Sequence, residues 1–249
     1  MSAIDLYNHP SPTYSDKVTQ SLHVLREQAS LHPQLTQASS LGAEDMVVTH
    51  LIHLAGIESS VFVLDTGKLH SETLALVNQI EQRYGYSVEV YRPRTESVVR
   101  FVRDQGEDAM YRSIELRKQC CDIRKMEPLS RALAGKDGWI TGLRREQSQA
   151  RSDVAAVVQE PQRVKISPIV EWTWGDVWHF IAEHQLPYNA LHDQFYPSIG
   201  CAPCTRAISV GEDFRAGRWW WEQESAKECG LHVQSVTPLK SPEAENQAS

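Results

Sequence analysis

Five cysteines carry the most chemistry in this chain. Four form two close pairs, Cys120-Cys121 and Cys201-Ala202-Pro203-Cys204, and the fifth, Cys229, stands alone in the polar run Glu228-Cys229-Gly230-Leu231-His232. Two thiolate pairs can close around one metal centre, and a lone thiol can act as a nucleophile. A mononuclear zinc site usually draws on Cys-x-x-Cys from both sides. Here one side has adjacent cysteines, and two consecutive thiolates reach one small ion only with strained geometry. A cubane iron–sulfur cluster offers four irons, so neighbouring thiolates can each take a different one, and all-cysteine ligation suits such soft centres. On spacing alone a zinc knuckle, a redox Cys-x-x-Cys and two unconnected pairs of buried thiols stay open beside the cluster. The segment Tyr196–Gly200 ahead of the second pair does not read as a strand, which weakens the redox reading.

Cys229 is either an incidental surface thiol or a nucleophile. Gly230 permits close approach of another molecule, and His232 could orient a ligand or favour the thiolate. Glu228 acts the other way, because a neighbouring negative charge raises a thiol pKa. Activation then needs cations from elsewhere. Two arginine groups could supply them: Arg144, Arg145 and Arg151 beyond the strand candidate at 139–142, and Arg215 and Arg218 ahead of Trp219-Trp220-Trp221. Guanidinium groups suit bidentate contacts to phosphate or sulfate, although a solvated charged surface uses the same residues. The three tryptophans read as packing or interface residues. Ser39, Ser40 and Gly42 lie in a loop through Asp45 that could hold phosphate at a helix N-terminus. It lacks the Lys-Ser/Thr pair of a Walker loop and reads equally as a plain turn. Asp65-Thr66-Gly67 is a turn or a holder of a ribose or base edge.

The elements that must position these residues alternate. Strand candidates at Leu35–Ser40, Val61–Leu64, Ser87–Tyr91, Trp139–Gly142 and Arg163–Ile169 are interleaved with helix candidates at Val18–Ala29, Met46–Leu54, Ser71–Tyr84, Thr95–Arg103, Ser113–Leu133 and a helix capped by Thr173 running to about His184. Such alternation implies an α/β fold with a mainly parallel sheet covered by helices on both faces. Ligands of such sheets bind at the carboxyl ends of the strands, where Ser40–Asp45, Asp65–Gly67 and Gly142–Ser148 lie. We expect a single domain over 1–249, with a core at about 35–206 and a flexible C-terminal tail from about 207. The chain has 249 residues, 41% hydrophobic and 23% charged, with a net charge of −7. That balance argues against a general nucleic-acid binder. The N-terminus has no basic start or apolar run, and Met46–Ile57 is too short to span a bilayer. An odd cysteine count without a secretion signal points to a reducing cytoplasm.

Taken in order, six segments resemble the assimilatory adenylyl-sulfate (adenosine 5′-phosphosulfate, APS) reductases: Ser-Ser-Leu-Gly-Ala-Glu-Asp at 39–45, Leu-Asp-Thr-Gly at 64–67, Cys-Cys-Asp-Ile-Arg-Lys at 120–125, Thr-Gly-Leu-Arg-Arg-Glu-Gln-Ser at 141–148, Gly-Cys-Ala-Pro-Cys-Thr-Arg at 200–206 and Glu-Cys-Gly-Leu-His at 228–232. The resemblance covers about residues 35 to 235. It implies an adenine-nucleotide alpha-hydrolase-like fold and a [4Fe–4S] cluster on Cys120, Cys121, Cys201 and Cys204, with Cys229 as nucleophile. It places Lys125 between cluster and substrate sulfate, Arg215, Arg218 and His232 on the sulfate, and Arg144, Arg145 and Arg151 on the nucleotide side. It further implies sulfite and AMP as products, thioredoxin or a similar dithiol protein as reductant, a place in sulfate assimilation and cysteine biosynthesis, and a possible homo-oligomer. The related phosphoadenylyl-sulfate (PAPS) reductases generally lack the two pairs, so the pairs imply a substrate without a 3′-phosphate. The alternatives are a PAPS reductase, an iron–sulfur or zinc redox sensor that needs no Cys229, and an ATP-consuming pyrophosphate-loop synthetase.

Overall fold

The computed structural model describes residues 1–148 and 151–222. In chain order its main elements are α1 (Ala3–Tyr7), α2 (Tyr14–Leu31), β1 (Leu35–Ser39), α3 (Ala43–Ala55), β2 (Ser60–Leu64), α4 (Ser71–Tyr84), β3 (Glu89–Tyr91), α5 (Thr95–Gln105), α6 (Ile114–Cys121), α7 (Glu127–Ala132), β4 (Gly138–Ile140), β5 (Val157–Gln159), β6 (Val164–Ile166) and α8 (Trp174–Glu183). The six strands form one sheet in the order β3-β2-β1-β4-β6-β5. Neighbours run parallel, except that β5 lies antiparallel to β6.

Strand alternation explains why helices cover both faces. Successive strand side chains point to opposite sides. Val61 and Val63 pack with Leu41, Met46, Leu76 and Ile80 on the side of α3 and α4. Phe62, between them, packs the other way, with Trp139, Leu129 and Leu133 on the side of α7. Ile140 and Ile166 join Leu25, Val47, Leu51, Val177 and Ile181 from α2, α3 and α8. A side chain buried as fully as Phe62 contributes about 1.5–3 kcal/mol by area.

Local chemistry sets the ends of these elements. Thr173 caps α8: its side chain accepts from Asp176 N, and the Asp176 carboxylate answers to the Thr173 backbone. Such a cap is worth about 1 kcal/mol. The same carboxylate accepts from Ser11 N at 2.7 Å and Lys17 Nζ at 2.7 Å, fastening the N-terminal segment to α8. Gly56 and Gly85 close α3 and α4 in the left-handed region, where a Cβ would be strained.

Two features differ from the sequence reading. The expected helix over 113–133 is interrupted between α6 and α7 by a π turn at Asp122–Met126, with Glu127 N bonding back to Asp122 O. Pro128 follows at the start of α7. It has no N–H to donate, so the regular i to i−4 ladder cannot run through it. The edge strand β5 was not read, because three residues offer too little alternation. Of the C-terminal segment expected from about 207, residues 223–249 lie outside the described residues; before them Arg215, Arg218 and Trp219 are buried, and Arg117 bonds Glu222 at 2.8 Å with both side chains at most 3% exposed. No helix among the described residues is long and apolar enough to cross a membrane.

Candidate active site

The strand order reverses at β1. The chain builds outward through β2 and β3, then β4 begins on the opposite side of β1. In open α/β sheets this switch opens a crevice at the carboxyl ends of the strands. A cavity of about 1340 Å³, counted out to its mouth, lies there, walled by Ser39, Ser40 and Gly42 after β1, Thr66 after β2, and Thr141 and Gly142 after β4.

Two carboxylates at the start of α3 tie these loops together. Asp45 accepts from Ser40 N and Ser40 Oγ, both at 2.6 Å, and from Gly142 N at 3.0 Å. A Cβ at Gly142 would come within 2.6 Å of Asp45 Oδ1, so the loop after β4 can approach only as glycine. Burial pushes the Asp45 pKa up to about 6, against the Ser40 hydrogen bonds. Burial acts the same way on Glu44, but Arg144 and the Gln147 amide hold that carboxyl below its ordinary value. The phosphate cradle considered for Ser39–Asp45 therefore has its Ser40 donors occupied from within the fold.

The arginines divide. Arg144 is buried and bonds Glu44 at 3.0 Å, Glu146 at 2.7 Å and the Trp172 carbonyl at 3.2 Å. Arg145 bonds the Val154 carbonyl and Glu171. Neither lines the cavity. Arg151 does, with Gln147, which it bonds. Asp65 also turns away from the cavity, accepting from Gly67 N at 3.0 Å and Arg92 Nε at 2.9 Å. Gly67, at φ 70°, lies outside the wall as well.

A second, much smaller cavity is lined by Cys120, Cys121, Cys201 and Cys204 together. Cys120 and Cys121 come from the end of α6; Cys201 and Cys204 flank a 3-10 turn through Pro203. The turn is fixed to the end of β2: Ala202 N donates to Lys68 O at 2.7 Å, and Thr66 Oγ1 lies 3.2 Å from Cys201 Sγ. Arg124 reaches the Thr66 carbonyl at 2.8 Å. Lys68, Arg117, Arg124, Lys125 and Arg218 line this cavity with the cysteines, and no described Asp or Glu does. Burial raises the Cys120 thiol, and burial with Cys201 alongside pushes Cys204 up to about 12; Lys125 and Arg218 act the other way on Cys204. Among the described residues no group of three or more His, Cys, Asp or Glu is placed to hold a single metal ion.

Lys125, Arg218 and Trp219 line both cavities. Lys125 stands on the π turn. Arg218 bonds Ser198 Oγ at 3.3 Å, and its guanidinium lies 4.7 Å from the Trp219 ring, with Arg215 at 6.0 Å. A Cβ at Gly200 would meet Arg218 Nη2 at 2.5 Å, so the approach to Cys201 passes directly under this arginine. Cys229 and His232 lie outside the described residues. Sequence reasoning missed Asp45, Gln147 and His192, which all line the larger cavity. Glu44 and Asp45 stood in the quoted loop, so their charge was the available signal; a single histidine in Leu191–Gln194 gave none.

Residues 34–207 match the phosphoadenosine phosphosulfate reductase domain family. The chain is 47% identical over 231 residues to the adenosine 5′-phosphosulfate reductase of Burkholderia cepacia, covering 92% of each. It is 50% identical over 203 residues to the protein of that name from Allochromatium vinosum, covering 81% of this chain and 79% of the relative. Among solved structures, the phosphoadenylyl-sulfate (PAPS) reductase from Candida auris in a phosphate complex superposes with a TM-score of 0.64 at 26% identity, over 76% of this chain and 90% of that one. The NH3-dependent NAD synthetase from Campylobacter jejuni has a TM-score of 0.51 at 12% identity, over 70% of this chain and 74% of that one, a likeness of fold alone. The sheet order and these neighbours make the fold adenine-nucleotide alpha-hydrolase-like, and the extent of the matches makes the chain a member of the phosphoadenosine phosphosulfate reductase domain family.

Proposed function

We propose that the protein is an adenylyl-sulfate reductase that converts adenosine 5′-phosphosulfate to sulfite and AMP in the cytoplasm, with thioredoxin or a similar dithiol protein as reductant. The observation that carries this reading is the wall of Lys125, Arg218 and Trp219 shared by a nucleotide-sized cavity and a four-cysteine cavity. The apolar side of the larger cavity, Phe62, Leu129 and Trp139, suits a base. The cationic side suits a sulfate. The relatives' names support the substrate, and the two cysteine pairs support the form lacking a 3′-phosphate.

In this reading the Cys229 thiolate attacks the sulfur of the sulfo group, the bond from that sulfur to the phosphate oxygen breaks, and AMP leaves with the electron pair. Nucleophile, sulfate and phosphate are all negative. Lys125, Arg215, Arg218 and a protonated His232 offset that charge as it accumulates, and one preorganised contact of this kind is worth roughly 3 kcal/mol, or about a hundredfold in rate. The product is a Cys229 S-sulfonate. A thiolate of the dithiol partner then attacks Cys229 Sγ, sulfite leaves with the bonding pair, and the partner's second thiol resolves the mixed disulfide. The dithiol gives up two electrons and the sulfur accepts them.

Cys120, Cys121, Cys201 and Cys204 would hold a [4Fe–4S] cluster, which when bound supplies a fixed structural and electrostatic element beside the sulfate site. The donor set fits: four thiols share one cavity, and cations rather than carboxylates surround it. Anaerobic purification should give brown protein with about four irons and four sulfides, forming sulfite from adenosine 5′-phosphosulfate. Mass spectrometry should find the sulfonate on the peptide bearing Cys229, and Cys229→Ser should abolish sulfite while leaving the visible absorbance intact. Zinc in place of iron, preference for the 3′-phosphorylated substrate, or activity surviving in Cys229→Ser would overturn the reading.

A further inference from the structure

We infer that His192 is a nucleotide-contacting residue, hydrogen-bonding the ribose diol and disfavouring a phosphate there; this rests on the function proposed above. His192 lines the larger cavity and is 4% exposed. It sits on the 3-10 turn Ala190–Gln194, which Asn189 fixes by accepting from Leu191 N at 3.1 Å and donating to Thr73 Oγ1 at 2.8 Å. Trp174 and Trp178 meet its ring steeply, with centroids 6.0 and 5.3 Å away. The ring is therefore held in place by its surroundings.

Neither ring nitrogen has a partner within ordinary hydrogen-bond geometry, although the Tyr196 backbone is near enough to act on the ring as a hydrogen-bonding group. A buried polar atom without a partner costs free energy and calls for an explanation. A phenyl ring would fill the same aromatic niche without that cost. The nitrogens are accounted for by a group that enters the cavity. Burial holds the imidazole neutral, with its pKa lowered to about 4, so it offers one donor and one acceptor. A hydroxyl can answer whichever nitrogen faces the cavity, as donor or as acceptor. A phosphate oxygen at neutral pH is chiefly an acceptor and can answer only the N–H. The Glu44 carboxylate is close enough to act on the ring through its charge, and Asp45 lies on the same cavity wall. A phosphate placed there would meet Asp45, whose hydrogen-bond partners Ser40 and Gly142 are uncharged, while Glu44 is answered by Arg144. Arg151 also lines the cavity, but it bonds Gln147, which in turn bonds Glu44. Lys125 and Arg218 belong to the wall shared with the cysteines.

The test uses the full-length holoprotein and two product-like probes, AMP and adenosine 3′,5′-bisphosphate, with affinities from calorimetry. His192→Phe keeps the aromatic packing and removes both nitrogens. It should weaken AMP about tenfold, the worth of one hydrogen bond, and weaken the bisphosphate less, so discrimination falls. His192→Asn keeps a donor and an acceptor and should stay within about threefold of wild type for AMP. Equal losses for both probes in His192→Phe, or no loss at all, would overturn the inference, as would a greater loss in His192→Asn than in His192→Phe, the signature of packing alone. If neither variant folds, a crystal structure of the wild type with AMP decides: a ribose oxygen within 3.5 Å of a His192 ring nitrogen, the ordinary hydrogen-bond limit of about that length, supports it, and a longer separation sinks it. Sulfite formation by the wild type is assayed separately. Its absence, with the AMP pattern intact, would remove the proposed reaction and leave this contact standing.

Discussion

The two cavities share a wall but handle charge in opposite ways. In the larger cavity each carboxylate is answered from within the fold, Glu44 by Arg144 and Gln147, Asp45 by Ser40 and Gly142. The cysteine cavity gathers four thiols and five cationic residues, with no described carboxylate in its lining. Two of those cations are answered from outside the lining, Arg117 by Glu222 and Lys68 by Glu107, and Lys125 and Arg218 act on the Cys204 thiol. Paired charges thus brace the larger cavity, and cations are concentrated around the four thiols.

The strongest way to break this contrast is to remove a thiol. Cys204→Ala should lose most of its iron and with it the stabilisation that a metal lends to a site unable to form without it; iron per chain and thermal melting would show this, and full iron retention would contradict it. Next in size, Arg144→Met strands the buried Glu44 charge, a loss of about 3–5 kcal/mol. Denaturant midpoints should show it, and Glu44→Gln in the same chain should restore part of it. A surface-like effect below about 1 kcal/mol would mean the pair does not frame the cavity. Lys125→Ala should keep its iron yet slow S-sulfonation of Cys229 about a hundredfold, measured in a single turnover without reductant.

The smallest effect sharpens the comparison by pH. The Asp45 carboxyl is raised to about 6 in the fold from an ordinary 3.8. The folded chain binds that proton more tightly than the unfolded chain. The resulting stabilisation is complete below pH 3.8 and lost as pH rises through about 6. Wild type should therefore gain melting temperature relative to Asp45→Asn between about pH 7 and about pH 5. A constant difference across that window would show that Asp45 does not titrate there.

Much of this organisation is legible in the residues themselves. Val61-Phe62-Val63-Leu64 announces a strand buried on both faces, and Thr173 with Asp176 announces the start of α8. The two cysteine pairs are visible as pairs, but their meeting in one cavity depends on the turn after β2, through Lys68 and Thr66, which no spacing encodes. Arg144 and Arg151 are indistinguishable as sequence, both arginines past a strand end; only burial against Glu44 separates the brace from the cavity-lining residue. β5 escaped because edge pairing over three residues leaves no periodic trace. His192 escaped because its isolation among Trp174 and Trp178 arises from distant parts of the chain.

The π turn at Asp122–Met126 has a consequence for how this chain tolerates change. It holds one residue more than a regular helical turn, and the extra residue sets the angular phase between Cys120-Cys121 before it and Lys125 within it. Deleting a single residue there would rotate one end about 100° against the other. Substitutions in this stretch can be graded; a change of length cannot, because it would turn either the two cysteines or the lysine away from the cavity they line together.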